Sequence, residues 1–207
     1  MITRTDITGV LLCGGEGRRM GGRDKPLELL RGLPLVDHVH ARLAPQVGSI
    51  LLSCNRNLER YAAWGEARVV DEVPGLGPLG GLVSTLARVR TAWTFACPGD
   101  APRLADDIVS RLAAAPPAQR VADAGGWAGG PVYAHDGARA QPLFLLLPTA
   151  ARTSLRDYLD AGGRSVLGWL DAINACAIDC KEIAGSFANT NTAADLQALE
   201  TPHTYLR

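Results

Sequence analysis

The chain has 207 residues, of which 47% are apolar and 20% are charged, a balance typical of a compact globular domain and unlike that of disordered or fibrous chains. Lysine plus arginine and aspartate plus glutamate both number 21, so no overall charge favours binding to nucleic acid or to an anionic membrane surface. A chain of this length buries about 70% of its unfolded surface and needs no disulfide or structural metal for stability.

The five cysteines form no Cys-x-x-Cys pair and have no histidines near them at zinc-finger spacing, so we expect free thiols. Buried free thiols are typical of a reducing compartment, and the sequence therefore predicts a cytoplasmic protein. No apolar run approaches the roughly 20 residues that span a bilayer, and the short run before Cys13 does not fit a lipoprotein signal.

Short apolar segments alternate with helical patterns through the first half of the chain. The predicted strands of this half are 7–12, 50–54, 69–70 and 93–97. The predicted helices are 35–43, 79–89 and 104–112, with apolar residues three or four positions apart. This alternation predicts a repeated strand, loop and helix unit.

The second half of the chain is less regular. A buried strand is predicted at 142–147, followed by helices around 155–159 and 166–170 and by a last helix that begins at Thr192. The alternation in the first half predicts a single α/β domain with a mostly parallel central sheet and helices on both faces, a three-layer Rossmann-like arrangement. In such sheets, ligands bind beyond the carboxyl ends of the strands.

Residues 14–25, which follow the first predicted strand, contain five glycines, three arginines and one lysine. Glycine lets backbone N–H groups approach an anion closely, and arginine and lysine add charge-assisted hydrogen bonds. The segment therefore predicts a polyphosphate-binding loop. Met20 stands where a dinucleotide-binding motif requires glycine, and Arg23 stands where a Walker A loop requires lysine. Kinase, GTPase and dehydrogenase functions thus lack their main motif.

This loop opens a series of short motifs that extends over roughly 7–199. In chain order they are 12–15 (Leu-Cys-Gly-Gly), 18–21 (Arg-Arg-Met-Gly), 24–27 (Asp-Lys-Pro-Leu), 32–35 (Gly-Leu-Pro-Leu), 55–57 (Asn-Arg-Asn), Asp71, 77–82 (Gly-Pro-Leu-Gly-Gly-Leu), 98–102 (Pro-Gly-Asp-Ala-Pro), 158–162 and 189–192 (Asn-Thr-Asn-Thr). The series resembles the signature of the molybdenum cofactor guanylyltransferases, the MobA type of nucleotidyltransferase. The first motif alone indicates only a broad class that also contains sugar-nucleotide and cytidylyl enzymes.

The resemblance implies a GT-A-like nucleotidyltransferase version of the fold, in which 1–115 bind the nucleotide and 116–207 bind the acceptor. The implied reaction transfers GMP from GTP to the terminal phosphate of Mo-molybdopterin and releases pyrophosphate, with Mg²⁺ as the cofactor and Mn²⁺ as its substitute. Gly14 and Gly15 resemble the guanine-preferring form of the loop, whereas cytidylyltransferase relatives usually carry two alanines there.

The resemblance also assigns roles to individual residues. Lys25, Arg19 and Asp100 are the expected catalytic residues, and Asp100 is also the expected metal ligand. The expected nucleotide-binding residues are Leu12, Cys13, Gly14, Gly15, Lys25, Ser53, Asp71 and Asp100. The expected acceptor-binding residues are Arg164, Asn189 and Asn191. Ser53 replaces the usual asparagine of the family, and Cys13 replaces the usual alanine.

Some of these positions also have a structural alternative. Asp100 lies between Pro98 and Pro102 after an apolar strand, where either a magnesium ligand at the sheet edge or the cap of the next helix is expected. Asp71 fits a turn as well as a nucleotide contact, and Asn191 fits a helix cap.

The sequence also allows two other kinds of function. A molybdenum cofactor cytidylyltransferase or a sugar-phosphate nucleotidyltransferase is disfavoured by the Gly14-Gly15 pair and by the motif at 189–192. A catalytically silent, nucleotide-binding regulatory module would have no need of Lys25 or Asp100.

The resemblance implies GTP and Mo-molybdopterin as substrates, with transient contacts to molybdopterin-delivering proteins and apo-molybdoenzymes. We expect a monomer that binds neither nucleic acid nor a membrane.

Overall fold

The structure is a computed structural model that describes residues 2–14, 24–64, 67–114 and 130–188. Its strands are β1 (Ile7–Leu12), β2 (Leu29–Leu30), β3 (Leu33–Pro34), β4 (Ser49–Ser53), β5 (Ala67–Val69), β6 (Trp93–Pro98), β7 (Val132–His135), β8 (Ala140–Pro148) and β9 (Cys176–Asp179). Its helices are α1 (Leu35–Leu43), α2 (Gly77–Leu86), α3 (Ile108–Ala113), α4 (Arg152–Asp160) and α5 (Val166–Ala172).

A seven-stranded sheet forms the centre of the molecule, in the spatial order β5-β4-β1-β6-β8-β7-β9. β1 pairs in parallel with β4 and β6, and β4 pairs in parallel with β5. β8 runs antiparallel to β6 and β7, whereas β7 and β9 are parallel to each other. The prediction of a mostly parallel α/β sheet is confirmed.

Alternate residues of the central strands face two separate apolar cores. Ile7 and Leu11 of β1 pack in the core formed with α1 and α3, whereas Val10 packs in the core formed with α2, α4 and α5. In β8, Phe144 belongs to the first core and Leu145 to the second. A sheet covered on both faces requires nearly continuous apolar strands, which is the pattern that the sequence shows. The predicted three-layer arrangement is therefore confirmed.

The first helix packs unusually close to the sheet. α1 begins directly after Pro34 and buries Val39 and Leu43 toward β1. A β-carbon on Gly9 would lie only 2.9 Å from Cδ2 of Leu43 and 3.1 Å from Cγ2 of Val47. Glycine at position 9 thus lets the end of α1 rest directly on the backbone of β1.

Several elements differ from the sequence-based expectations. The β2–β3 hairpin and the strands β7 and β9 were not predicted, because two to four residues are too few to show a clear period. α3 begins at Ile108 and not near Leu104. The predicted helix at Thr192 lies outside the described residues. Within the described ranges, no helix is long and apolar enough to cross a membrane.

Candidate active site

The carboxyl ends of β1, β4 and β6 meet at one edge of the sheet. Backbone hydrogen bonds continue past the strand ends, since the N–H of Cys13 donates to the carbonyl of Ser53 at 2.8 Å. On the other side, the N–H of Gly99 donates to the carbonyl of Leu12 at 3.0 Å. These bonds hold the first residues of three loops side by side, at the place where ligands bind in parallel sheets.

Lys25 and Asp100 form an ion pair at this edge. Nζ of Lys25 lies 2.6 Å from Oδ2 of Asp100, and the two side chains are only 19% and 16% exposed. Asp100 follows β6, whereas Lys25 begins a short 3-10 turn, Lys25–Leu27, that leads into the β2–β3 hairpin. α3 begins at Ile108 with Asp107 as its N-cap, so Asp100 does not cap it. The structure thus brings together two of the three residues expected to be catalytic.

The same edge carries a cleft of about 350 Å³ between the ends of β1 and β4 and the start of α2. This volume lies within the range of small-molecule sites. The lining residues are Leu12, Gly14, Ser53, Asn55, Arg56, Asp71, Gly75, Gly77, Pro78 and Gly81. The set includes Leu12, Gly14, Ser53 and Asp71, four of the residues expected to bind the nucleotide.

Gly81 brings α2 against the end of β4 at the floor of the cleft. A β-carbon on Gly81 would lie 2.2 Å from Oγ of Ser53 and 3.4 Å from Oδ1 of Asp71. Ser53 is only 1% exposed, so its hydroxyl has no room to move away from such a group. Glycine at position 81 therefore lets α2 lie close to both Ser53 and Asp71, a role that the sequence does not reveal.

Asp71 has a carboxylate oxygen that lacks a hydrogen-bond donor. Its Oδ1 is buried, and none of the described residues donates to it. Burial raises the pKa of Asp71, and a hydrogen bond with the side chain of Asn55 partly opposes this shift. Asn55 also accepts from the backbone N–H of Asp71 at 2.8 Å.

An orphaned buried acceptor is rare in folded proteins and requires an explanation. An aspartate that merely forms a turn would accept hydrogen bonds from its own loop. Asp71 lines the cleft, and its Oδ1 receives no such bond from the described residues, which favours the ligand-binding interpretation over the turn interpretation. Asn55, which holds Asp71 in place, was recognised in the sequence only as part of a motif.

The thiol of Cys13 points away from the cleft. It packs in the core of α1 and α3, and a β-carbon on Gly99 would lie 2.5 Å from its Sγ. Burial raises the pKa of the Cys13 thiol well above its ordinary value, and the nearby Cys54 and Asp24 add to the shift. Only the backbone of Cys13 is therefore available for the predicted nucleotide contact, which makes its replacement of alanine a small change.

Arg164, which was expected to bind the acceptor, makes two hydrogen bonds to the backbone. Arg164 lies between α4 and α5, where its Nη1 donates to the carbonyls of Leu159 at 3.0 Å and Gly163 at 2.6 Å. These bonds satisfy one carbonyl group in the last turn of α4 and one in the loop after it, a structural role that the sequence did not indicate. Its acceptor-binding role stays a prediction. Gly15, Arg19, Asn189 and Asn191 lie outside the described residues.

Asp24 was not predicted to belong to the site, although it precedes Lys25. Its Oδ1 accepts a hydrogen bond from the hydroxyl of Tyr61 at 2.8 Å, and its Oδ2 accepts one from Nδ2 of Asn57 at 2.8 Å. The partners lie 33 and 37 residues away in sequence, so neither spacing nor composition could have revealed them.

The site fits a divalent cation that is shared with an anionic ligand. Over the part of the chain that the structure describes, no group of three or more histidine, cysteine, aspartate or glutamate side chains converges. Mg²⁺ needs no such cage, because it is usually held by one or two carboxylates together with substrate phosphates and water. The carboxylate of Asp100, a hard oxygen ligand beside a lysine at the sheet edge, suits that kind of site.

Residues 9–173 match the family model described as the MobA-like NTP transferase domain. The molybdenum cofactor guanylyltransferase of Cupriavidus necator is 42% identical to the chain over 204 residues, which cover 97% of this chain and 100% of that relative.

Solved structures share the fold. The molybdopterin-guanine dinucleotide biosynthesis protein A of Archaeoglobus fulgidus matches with a TM-score of 0.71 and 21% identity over 94% of this chain and 96% of that one. The 2-C-methyl-D-erythritol 4-phosphate cytidylyltransferase of Thermus thermophilus matches with a TM-score of 0.64 and 14% identity over 92% and 96%. The fold alone thus does not select the nucleotide. The length and identity of the sequence match do decide the family, and the chain belongs to the MobA-like NTP transferases.

Proposed function

We propose that the chain transfers GMP from GTP to the terminal phosphate of Mo-molybdopterin, which releases pyrophosphate and forms Mo-molybdopterin guanine dinucleotide. The observation that carries this proposal is the partly buried pair of Lys25 and Asp100 at the ligand-binding edge of the sheet. The name of the Cupriavidus necator relative supports the choice of substrates.

The reaction needs no nucleophilic side chain. An oxygen of the acceptor phosphate attacks the α-phosphorus of GTP and forms a new P–O bond. The bond from the α-phosphorus to the bridging oxygen breaks, and pyrophosphate leaves with the electron pair. Catalysis then depends on aligning two anions and on stabilising the charge that develops on the leaving group.

Lys25 is the proposed stabiliser of the leaving pyrophosphate. An ammonium group carries three donors on a flexible stem, so it can exchange the carboxylate of Asp100 for phosphate oxygens while the backbone stays in place. Partial burial strengthens this interaction, because water screens the charge less than at an open surface. Arg19 and the backbone amides of Gly14 and Gly15 are the further proposed contacts.

Asp100 is the proposed ligand of the divalent cation, with Mg²⁺ as the natural ion and Mn²⁺ as a substitute. Its oxygen donors match the preference of both ions. When bound, such a cation neutralises negative charge on the triphosphate. Lys25, whose Nζ lies 2.6 Å from Oδ2 of Asp100, balances the charge of that carboxylate.

Asp71 is the proposed selector of guanine. An ionised carboxylate accepts two neighbouring hydrogen bonds, and the Watson–Crick edge of guanine presents two neighbouring donors, N1–H and the 2-amino group. Adenine and cytosine present an unprotonated ring nitrogen at the same place, which would face the carboxylate without a proton between them. The position of Asp71 in the lining of the cleft supports this assignment, as does the lack of a donor to its Oδ1 among the described residues.

The acceptor is proposed to lie on the side formed by 116–207. Arg164 would supply positive charge for its phosphate, and the two backbone carbonyls that bind Nη1 would hold the guanidinium in one orientation. Asn189 and Asn191 stay proposed acceptor contacts. Transfer of the product to apo-molybdoenzymes implies transient protein contacts.

Replacement of Lys25 by alanine or of Asp100 by asparagine should lower kcat by about 100-fold or more, the scale observed when one preorganised charge-stabilising group is lost. The measurement is pyrophosphate release with GTP, Mg²⁺ and Mo-molybdopterin. Lys181→Ala is a matched control, since Lys181 is the other lysine of the chain and pairs with Asp179 at the surface. Turnover at the wild-type rate in either site variant would contradict the assigned roles.

Asp71→Asn should raise the KM for GTP about tenfold, because one carboxylate acceptor is replaced by an amide donor opposite the base. The wild-type enzyme should prefer GTP to ITP, which lacks the 2-amino group, and the variant should lose that preference. Steady-state kinetics with both nucleotides measure the ratio. An unchanged ratio of GTP to ITP efficiency would show that Asp71 does not contact the base.

Thiol reagents should leave the activity intact. Cys13, Cys54, Cys97 and Cys180 are buried, and burial raises the pKa of each thiol, that of Cys54 to about 11. The thiolate, which is the reactive form, is therefore scarce at pH 7. Incubation with iodoacetamide followed by the pyrophosphate assay tests this expectation. Inactivation that GTP prevents would place a cysteine side chain in the nucleotide site.

A further inference from the structure

Asp24 is a buried carboxylate directly before Lys25. Its side chain is 5% exposed, and each of its oxygens accepts one hydrogen bond, from Tyr61 and from Asn57. Nε of Arg56, whose side chain lines the cleft, lies 3.7 Å from Oδ2 of Asp24. Both oxygens of Asp24 are thus bound by a single segment, residues 56–61, which follows β4.

The side chain of Asp24 does not cap the turn that follows it. Asp24 occupies the N-cap position of the turn Lys25–Leu27, but its side chain makes no capping hydrogen bond. An aspartate at such a position ordinarily accepts from a backbone N–H of the following turn. Here the carboxylate turns inward to partners more than 30 residues away in sequence. Removing a carboxylate from water costs free energy, so the three partners are needed to hold it there.

The segment that holds Asp24 is itself rigidly packed. Tyr61 is fully buried, and its ring meets the ring of Trp64 edge-on at a centroid distance of 6.0 Å. Nε1 of Trp64 donates a hydrogen bond to Asp37 of α1. Burial, with a further contribution from the hydrogen bond to Asp24, raises the pKa of Tyr61, so its hydroxyl stays protonated and remains a donor.

Asp24 and Lys25 lie between a glycine-rich stretch of sequence and a buried turn. Five glycines lie between residues 14 and 23, and glycine imposes the weakest restriction on backbone conformation. On the other side, Pro26 and Leu27 are buried, and the N–H of Leu27 donates to the carbonyl of Asp24 at 2.9 Å. The backbone of Lys25 is therefore held between two anchors, the side chain of Asp24 and the buried turn.

We infer that Asp24 is a positioning residue, whose carboxylate, held by Tyr61 and Asn57, fixes Lys25 in the place where its ammonium meets Asp100 and the leaving group. This inference rests on the proposed function of Lys25. Asp24 touches no reacting atom in this account and acts through the backbone of its neighbour. Asp24 precedes Lys25 in the chain, and its carboxylate pairs with Arg56, which lines the cleft. Lys25 is therefore connected to the cleft through Asp24.

Two variants weaken the anchor without disturbing the backbone. Tyr61→Phe removes the hydroxyl and keeps the buried ring. Asn57→Gly removes the other donor and suits the backbone, because Asn57 has a φ of +51°, which glycine adopts without strain. Each variant should lower kcat for pyrophosphate release about tenfold, the scale of losses when a supporting partner of a functional group is removed. Tyr133→Phe, on the half-buried strand β7, is the matched control and should keep the wild-type kcat.

A double-mutant cycle with Lys25→Ala separates positioning from a general loss of stability. If Asp24 acts through Lys25, Tyr61→Phe and Asn57→Gly should cause no further loss of kcat in the Lys25→Ala background. A purely structural role would give the same fold-loss in both backgrounds. Thermal unfolding of every variant shows which of them are folded at the assay temperature, and Asn57→Gly decides the question if Tyr61→Phe is not.

The outcomes separate the two proposals. A wild-type kcat in folded Tyr61→Phe and Asn57→Gly, or equal losses with and without Lys25, would overturn the positioning role of Asp24 while the proposed function stands. Wild-type activity of Lys25→Ala would instead contradict the proposed function of Lys25, and the positioning role would fail with it.

Discussion

Parallel pairing of β1 with β4 on one side and with β6 on the other places Leu12 opposite both Ser53 and Pro98. Parallel strands end at the same edge of a sheet, so the loops that follow them emerge together. Lys25 and Asp100, which are 75 positions apart in the chain, meet at 2.6 Å for this reason. A one-residue slip of either pairing would reverse the faces of the strand and separate these groups.

The partly buried pair of Lys25 and Asp100 is better explained by function than by stability. Taking two charges out of water costs about as much free energy as their attraction returns, so such pairs contribute little net stability. The pair of Lys181 and Asp179, by contrast, is at the surface, where the side chains are 69% and 58% exposed and water screens the charges. The proposed phosphate-binding charge is therefore that of Lys25, the less exposed of the two lysines.

The central strands could be predicted because each is a continuous apolar run that ends at glycine, proline or a polar residue. β7 and β9 could not, since each has four residues and alternates between buried or half-buried and more exposed positions at the margin of the sheet. The direction of the Cys13 thiol follows from strand alternation, because Cys13 directly follows β1 and packs in the same core as Leu11.

The candidate site was predictable only in part. The resemblance to a family supplied Lys25, Asp71 and Asp100, and the positions of Asp71 and Asp100 follow from the ends of β5 and β6. The long-range contacts of Asp24 with Tyr61 and the close approach of Gly81 to Ser53 depend on how distant segments pack. No local period or composition encodes such contacts, which is why the sequence did not reveal these roles.

The most direct test of the account is a nucleotide panel. Pyrophosphate release is measured with Mg²⁺ and each of GTP, ATP, CTP and UTP, with and without Mo-molybdopterin, and the product is identified by mass. We predict release only with GTP and Mo-molybdopterin together, and a product with the mass of Mo-molybdopterin guanine dinucleotide. Release with CTP in place of GTP, or no release with any nucleotide, would contradict it.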